Sequence, residues 1–164
     1  MDNKSMCGQS VYLKELNESF FSDYISAFSP RVRKALHVKR ALSELEYLRQ
    51  RLEKQKEGRT VFFCVFDKKT DRLIGALEIR DQEETSNQLY CWLHEDFWGT
   101  GRYQEALRIA SQEYFKRTNE SCFYAHVDAK NKRSYYALKK NGFTDIGTHS
   151  GPHGRQYQLV FRKK

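Results

Sequence analysis

The order of elements along the sequence predicts an α/β (α+β) fold with a mixed central sheet in a single domain. Two helix-like segments come first, and a pair of apolar, strand-like runs follows them. The chain then alternates strand, helix, strand, helix and ends with two strands. Antiparallel neighbours and strand–helix–strand crossovers in one chain make the sheet mixed. With 164 residues the chain is long enough for one core, and residues 1–10 are expected to form a loose extension.

Two helices are predicted ahead of the first apolar strands, over Asn17–Phe28 and Ala41–Lys56. The second carries leucines at helical spacing with charged residues between them, which is typical of a helix with one face on a core. This stripe covers only a couple of turns, so a coiled coil is not expected. Its members are Leu42, Leu45, Leu48 and Leu52.

An antiparallel meander is predicted in the middle of the chain. The run Val61–Phe66 is apolar throughout and indicates a buried strand. A polar turn over Asp67–Arg72 connects it to a hairpin partner over Leu73–Ile79. A polar loop is then expected over Asp81–Gln88, before a further apolar strand over Leu89–Leu93.

The second half of the chain predicts two helices and three strands. Cys122–Val127 is a strand, and Asn131–Asn141 is a short helix that stops at Gly142, because Asn-Gly suits a left-handed helix end. Two strands over Phe143–Gly147 and Tyr157–Phe161 close the chain. The other helix precedes Cys122 and has an apolar stripe made of Tyr103, Ala106, Leu107, Ala110 and Tyr114.

The composition favours a folded protein with a charged surface. Eleven Phe, ten Tyr and two Trp argue against disorder. The longest clear apolar run has six residues, whereas a membrane-spanning helix needs roughly 18–20. The first residues carry no apolar signal core. We therefore expect a cytoplasmic protein with no membrane partner.

Cysteine usage agrees with a reducing compartment. Cys7, Cys64, Cys91 and Cys122 are scattered, and three of them lie inside apolar strand-like runs. Such a distribution is typical of reduced, buried thiols and not of a disulfide framework or a zinc site.

The formal charge of +8 needs an explanation. Between Arg31 and Arg59 there are ten basic and four acidic side chains. Either a nucleic-acid partner or a solvated basic surface would account for this excess. A phosphate-rich cofactor would also use a second basic cluster further along the chain. That cluster consists of Lys130, Lys132, Arg133, Lys139 and Lys140.

A glycine turn joins the strand over Leu89–Leu93 to the helix that opens near Tyr103. Gly99 and Gly101 let the backbone turn sharply and expose consecutive N–H groups at a helix N-terminus. Unpaired amides and the helix dipole both favour an anion there, so a phosphorylated cofactor is a first hypothesis. The spacing matches neither a P-loop nor a dinucleotide fingerprint. Taken alone, the turn could be an ordinary tight connection.

A second segment, about thirty residues on, makes the cofactor hypothesis specific. The glycine turn reads Trp-Gly-Thr-Gly-Arg-Tyr-Gln-Glu-Ala-Leu over Trp98–Leu107, and Val127-Asp128 is followed by Asn131, Ser134 and the Lys-Asn-Gly-Phe ending at 140–143. With these two motifs in order, the chain closely resembles the GNAT N-acetyltransferase superfamily, and within it the branch that acetylates the N-termini of ribosomal proteins. The resemblance covers essentially the whole chain from Leu13 to the last strand.

The resemblance implies a GNAT fold of about six to seven strands with helices on both faces, and acetyl-CoA as co-substrate. Backbone groups of three strand residues would pair with the pantetheine arm, namely Cys91, Trp92 and Leu93. Amides of the turn would hold the pyrophosphate, namely those of Gly99, Thr100, Gly101, Arg102, Tyr103 and Gln104. Asn131 would bond the cofactor between two splayed strands. Asn131 could instead be only the N-cap of its helix.

The sequence departs from the family pattern at the flanks of the turn. Trp98 stands where the family usually has Gln or Arg, and Tyr103 stands where it has Gly or Ala. The helix stripe favours a Tyr103 side chain packed in the core over one that points at the pyrophosphate. Asn87 falls near the position of a carboxylate that some members carry.

Catalysis requires a neutral amine and benefits from a proton for the leaving thiolate. His126 is the candidate base, because strand alternation puts it on the face opposite Phe123, Ala125 and Val127, and histidine titrates near neutrality. It could equally be a structural histidine. The ribosomal branch resembles this chain in having Ser at position 134, so the resemblance implies Ser134 as a donor to the thiolate; it could equally be only a helix-start hydroxyl.

The Tyr that many GNAT enzymes place seven residues after the Asn is Leu138 here. Tyr135 and Tyr136 are fallback donors, although aromatic residues on such a helix are more often surface or core residues. The two histidines of the loop over His149–Gly154 do not predict a metal site, because a Gly/Pro loop does not fix ligand geometry. A flexible hairpin tip beside the acceptor is the preferred interpretation. The other expected substrate-side loop is Arg31–His37.

These observations favour a cytoplasmic acetyl-CoA-dependent N-acetyltransferase, without a metal, in which an amine attacks directly. The acceptor could be a protein N-terminus or a small-molecule amine, and the protein a monomer or a homodimer. One alternative is a GNAT-like domain that binds acyl-CoA or a partner with weak or no catalysis, which Asn87, Leu138 and Tyr103 motivate. A basic module that associates with RNA or the ribosome is another; nucleic acid is possible but not favoured.

Overall fold

A computed structural model describes residues 6–36, 38, 43–82 and 85–164. These residues form one seven-stranded sheet, so the predicted mixed α/β architecture is confirmed. In chain order the strands are β1 (Val11–Glu15), β2 (Thr60–Asp67), β3 (Leu73–Gln82), β4 (Thr85–Leu93), β5 (Cys122–Asp128), β6 (Thr144–Gly151) and β7 (Gly154–Arg162). Across the sheet they lie in the order β1-β2-β3-β4-β5-β7-β6.

Helices pack on both faces of this sheet. They are α1 (Phe21–Ala27), α2 (Pro30–Ala35), α3 (Glu44–Lys56), α4 (Arg102–Arg117) and α5 (Lys132–Lys140). Two apolar clusters follow, one on each face. The first includes Leu107 of α4 and Leu138 of α5, and the second includes Tyr24 of α1 and Leu48 of α3.

The single parallel contact among the described strands lies between β4 and β5. Its recorded partners are Gln88 and Tyr124, near the start of each strand. The other neighbours in the sheet are antiparallel. Because no later residue of β4 pairs with β5 in the described part of the chain, a gap opens between their carboxyl ends. This gap positions the site.

Local signals explain where several helices start and stop. Ser43 and Glu46 form a capping box at the start of α3. The side chain of Asn131 accepts from the Ser134 amide and caps α5. As predicted, Gly142 then takes a left-handed conformation, with φ of 96°, after the last turn of α5.

Some boundaries differ from the sequence-based prediction. The expected loop over Asp81–Gln88 is largely strand, because β3 runs to Gln82 and β4 starts at Thr85; polar side chains on a strand hid this hairpin. Residues 83–84 lie outside the described part, as do positions 41–42 of the predicted second helix. The first predicted helix begins with a 3₁₀ turn over Glu18–Phe20 before α1.

Both expected substrate-side loops are more regular than predicted. Residues 31–35 belong to α2, which starts at Pro30 with Ser29 as its cap; His37 lies outside the described residues. His149 is a strand residue opposite Gln156, so the hairpin tip is only Pro152-His153. The prediction of a loop over His149–Gly154 was therefore wrong, because β6 and β7 continue their ladder almost to the turn.

The four cysteines are free. Cys64 is buried, but Cys91 and Cys122 are only half-buried and Cys7 is exposed, so the predicted burial holds fully for one of them. Within the residues that the structure covers, no helix is long and apolar enough to cross a membrane.

Candidate active site

The glycine turn forms an open loop at the end of β4. A 3₁₀ turn over Glu95–Phe97 leads into it. Gly99 and Gly101 have φ of 75° and 82°, a region that L residues rarely adopt. A Cβ built on either glycine would meet no heavy atom within 4 Å, so the backbone faces open space. The Thr100 hydroxyl donates to the Phe97 carbonyl at 2.6 Å and steadies the turn.

The first amides of α4 have no acceptor within the helix. The first helical hydrogen bond of α4 runs from the Glu105 amide to the Gly101 carbonyl, at 3.1 Å. The amides of Arg102, Tyr103 and Gln104 therefore precede any helical acceptor. Together with the helix dipole they form a cradle for negative charge.

The side chains of this cradle turn away from it. The Arg102 guanidinium donates to buried Asp67 at 2.8 Å. The Tyr103 hydroxyl lies 3.2 Å from the Cys91 sulfur, and its ring packs on the core, as the helix stripe predicted. Glu105 accepts from the Ser10 amide at 3.0 Å. The loop is thus anchored from behind, and its front consists of backbone groups.

The Asp67–Arg102 pair is an electrostatic anchor. Burial by itself would raise the pKa of Asp67, but hydrogen bonds from Thr70 and Arg102 outweigh it and hold that pKa below its usual value. Since Asp67 ends β2 and Arg102 begins α4, the pair fixes the cradle to the sheet.

The end of β4 forms one wall of the gap. Cys91 and Leu93 pair with β3 on one side and have no recorded partner on β5. Trp92 is buried, and its ring packs edge-on against Phe28 at 5.1 Å, so only its backbone can serve a ligand. The Leu93 carbonyl accepts from the Trp98 indole at 2.7 Å.

Two neighbouring cavities occupy this region. The smaller has a volume of about 160 Å³ and includes Leu93, Trp98, Gly99 and Tyr103 in its lining. The larger has about 650 Å³. Residues that line both include Cys91, Trp92, Asn131 and Ser134.

His126 lines the larger cavity and lies on the face of β5 opposite the buried residues, as strand alternation predicted. Its ring contacts that of His149, with centroids 4.8 Å apart. Burial, and then the charge of His149, lower the pKa of His126 below its usual value. The imidazole is therefore neutral at pH 7 and able to accept a proton.

Asn131 and Ser134 are brought to the junction of the cavities by the first turn of α5. The Asn131 side-chain oxygen accepts from the Ser134 amide at 3.2 Å, which leaves the NH₂ group of the same side chain to serve another partner. Leu138, at the position of the family tyrosine, is buried in the core.

The fallback donors do not line either cavity. The Tyr135 hydroxyl donates to Asp145 at 2.7 Å, and this hydrogen bond, with burial, raises the pKa of Tyr135 to about 12. Tyr136 is 63% exposed. Their assignment as alternative donors is therefore not supported.

Two features of this region escaped the sequence analysis. His149 of β6 contacts His126 of β5 although β7 lies between their strands, and no local pattern reveals that contact. Glu78 lies buried in β3 and accepts from the guanidinium groups of Arg51 and Arg80, each at 2.7 Å. The sequence did contain a signal for the buried Glu78, namely a carboxylate between two apolar strand residues, Leu77 and Ile79.

The basic residues divide into two groups. Within the described part of Arg31–Arg59, several are paired internally, as in Arg33–Glu44 at 2.8 Å and Arg51–Glu78 at 2.6 Å. A groove of about 1130 Å³ beside the cradle is lined by a separate set. Its cations are Arg108, Lys116, Lys140, Lys163 and Lys164.

A family model described as an acetyltransferase (GNAT) domain matches residues 11–144. The chain belongs to the GNAT acetyltransferase family. It is thus an acetyl-CoA-dependent N-acetyltransferase that transfers an acetyl group to an amine. No curated protein sequence matches it.

Solved GNAT structures superpose over nearly the whole chain. Ribosomal-protein-S5-alanine acetyltransferase from Vibrio fischeri has a TM-score of 0.81 at 17% identity, covering 95% of this chain and 94% of its own. An acetyltransferase from Salmonella typhimurium that modifies the N-terminal serine of ribosomal protein L7/L12 has 0.80 at 14%, covering 96% and 97%. Spermidine N-acetyltransferase from Vibrio cholerae, in complex with CoA and spermine, has 0.79 at 15%, covering 94% and 96%. At these identities the likeness shows the fold.

Proposed function

We propose that this GNAT enzyme acetylates an α-amino group, that of a protein or peptide N-terminus, in the cavity lined by His126. The observation that carries the proposal is the junction of the two cavities, where Asn131 and Ser134 line both. A thioester held in one cavity would meet an amine held in the other at that junction. The ribosomal-protein acetyltransferases of the same fold act on such amines.

The residues on the cofactor side fit acetyl-CoA. The amides from Gly99 to Gln104 would hold the diphosphate, and open space lies in front of both glycines. The edge of Cys91–Leu93 would pair with the amides of the pantetheine arm, in the manner of an added strand. The NH₂ group of Asn131 would donate to the same arm while its oxygen caps α5.

Two side chains would manage the protons. When bound, acetyl-CoA supplies an acetyl group activated as a thioester. Ser134 Oγ would donate a hydrogen bond to the leaving sulfur, and the neutral imidazole of His126 would accept the proton of the attacking amine, directly or through a water.

The weak base suits an α-amino group. Such a group has a pKa of about 7.7–8.0, so roughly a tenth of it is already neutral at pH 7, whereas a lysine amine with a pKa of about 10.4 is neutral in less than a thousandth of molecules. Because the pKa of His126 is lowered, the imidazole is too weak a base to deprotonate a lysine amine efficiently.

The charge of the larger cavity also disfavours a polyamine. Of its two carboxylates, Glu78 is compensated by two guanidinium groups, so at most Asp128, which accepts from the neutral Lys130 amide at 2.9 Å, could attract a cation. Arg80, His126 and His153 line the same cavity. A polycation would gain little attraction there.

Thiol release from acetyl-CoA over a matched panel of acceptors tests the proposal. We expect peptides with a free N-terminus to be acetylated with at least tenfold higher kcat/KM than N-terminally blocked peptides with an internal lysine, or than spermidine. The His126→Gln variant should lose about a hundredfold or more in kcat and keep its affinity for CoA.

Acetylation of spermidine or lysine alone would contradict the proposed acceptor. CoA binding without turnover of any amine would instead identify a non-catalytic binding module. Several basic residues in the segment from Arg31 to Arg59 already form internal ion pairs, which does not favour RNA binding there.

We further propose that residues 1–164 form a single domain and that the protein is cytoplasmic. The four free cysteines support the cytoplasmic location.

A further inference from the structure

The indole of Trp98 is in contact with two guanidinium groups. The Arg133 guanidinium carbon is 3.4 Å from the ring centroid, and that of Arg31 is 5.2 Å from it. Arg31 comes from α2, Arg133 from the first turn of α5, and Trp98 from the glycine turn. Three distant segments therefore meet at one stacked cluster, Arg31–Trp98–Arg133.

Within the residues that the structure describes, neither guanidinium of this cluster forms a direct ion pair, and Glu95 attracts Arg31 only through a weaker electrostatic interaction. The ion pairs found there engage other arginines, namely Arg33, Arg51, Arg80, Arg102 and Arg117. Burial, and then the charge of Arg31, lower the pKa of Arg133. The two guanidinium groups beside one ring repel each other, and a bound anion would relieve this repulsion, most of all at Arg133.

The cluster adjoins the amide cradle. Trp98 directly precedes Gly99, and Trp98, Gly99 and Arg133 line the same cavity of about 160 Å³. The indole is itself held by its hydrogen bond to the Leu93 carbonyl, at 2.7 Å. Arg133 thus lies at the edge of the loop with the exposed amides, and Arg31 lies beside the same indole.

Arginine suits a diphosphate for two reasons. Its planar fork donates two parallel hydrogen bonds to phosphate oxygens. A guanidinium already stacked on a ring also loses less side-chain freedom when it binds. The backbone cradle supplies neutral donors, so these two side chains would supply the formal charge.

We propose that Arg31 and Arg133, held on Trp98, are side-chain ligands for the diphosphate of acetyl-CoA. They make the enzyme select a diphosphate-bearing acyl donor over one that carries pantetheine alone. This inference rests on the cofactor side of the proposed function and is independent of the acceptor.

Calorimetric titration with CoA and with pantetheine tests the inference without any acceptor amine. We expect Arg133→Gln to weaken CoA binding by about tenfold or more, since it removes a charge-assisted contact. Arg31→Gln should weaken CoA binding less, because the Arg31 guanidinium lies farther from the indole ring than that of Arg133. Pantetheine, measured by displacement of CoA, should bind both variants as it binds the unmodified protein.

The matched control is Arg155→Gln. Arg155 is an exposed arginine of the β6–β7 hairpin that donates to Thr148 at 2.8 Å, and its loss changes the net charge equally. CoA affinity should stay within twofold. An unchanged CoA affinity in Arg133→Gln would overturn the inference, as would an equal loss for CoA and pantetheine, which would indicate a structural role for the cluster. Failure of the proposed acceptor alone would leave the titrations unaffected.

Discussion

On one side of the gap between β4 and β5, backbone groups face the site, whereas on the other side the site consists of side chains from separate elements. In the proposed arrangement the cofactor side has the amides that follow Gly99 and the edge of Cys91–Leu93 that faces away from β3. The acceptor side has His126 with its neighbour His149, and the Arg51–Glu78–Arg80 network.

This difference has a physical origin. A diphosphate and an extended arm present the same groups for every acceptor, so a helix N-terminus and a strand edge recognise them without particular side chains. An acceptor amine must be deprotonated and selected, and both tasks need side chains with a defined charge. The Arg31–Trp98–Arg133 cluster is the place where side chains supplement the backbone side.

The largest expected effect comes from breaking the backbone side at Gly101. Gly101→Val places a branched side chain at φ of 82° and should distort the cradle, because that conformation is strained for such a residue. We expect CoA affinity, measured by calorimetry, to fall by about a hundredfold. Gly58→Val is the control, because Gly58 has a similar φ of 75° but follows α3. An equal loss of CoA affinity in both variants would contradict the backbone account.

A smaller effect is expected at the anchor behind the cradle. Asp67 is 1% exposed, and Asp67→Asn removes the charge that Arg102 pairs with. We expect the free energy of unfolding in urea to fall by about 2 kcal/mol, which is less than the roughly 3–5 kcal/mol for a fully buried pair, because the Arg102 side chain is partly exposed.

The pH dependence of stability gives the sign of this contribution. Because the pKa of Asp67 is lowered in the folded protein, its contribution is fully present above the unfolded value of about 3.9 and is lost as pH falls through the folded value. The variant should therefore lose part of the acid dependence seen in the unmodified protein. Parallel stability curves below pH 5 would show that Asp67 contributes nothing through its charge.

The smallest expected effect sharpens the acceptor side. His149→Gln removes the second histidine whose charge lowers the pKa of His126. In the proposed mechanism the neutral form of His126 accepts the proton, so the acid limb of activity should lie below 6.5 and move up toward that ordinary value in the variant. We would measure kcat with saturating acceptor and divide the value for the variant by that for the unmodified protein at each pH. The ionisation of the acceptor amine affects both values equally and cancels in this ratio. A ratio that does not vary with pH would exclude this coupling.

The backbone features of the site could be predicted from the sequence, whereas most contacts between its side chains could not. Gly99, Gly101, Asn131 and Gly142 are recognisable because local backbone geometry demands those residue types, so the turn, the α5 cap and the helix end were all predicted. Tyr103 was also placed correctly, by the period of its helix. Each of these features depends on residues close in sequence.

Features that depend on long-range packing were not predictable. The contact between His126 and His149 joins β5 and β6 across the intervening β7, an order of strands that no local pattern reveals. Trp98 was recognisable as a departure from the family pattern, but its partners Arg31 and Arg133 come from segments far apart in sequence. The loop predicted over Asp81–Gln88 failed because polar side chains on a strand resemble a loop.

A crystal structure with bound CoA tests the division of the site most directly. We expect the diphosphate oxygens within hydrogen-bond distance of the amides between Gly99 and Gln104, and the sulfur between Ser134 Oγ and the His126 imidazole. A sulfur atom that lies away from both of these side chains, or a diphosphate outside the cradle, would contradict the account.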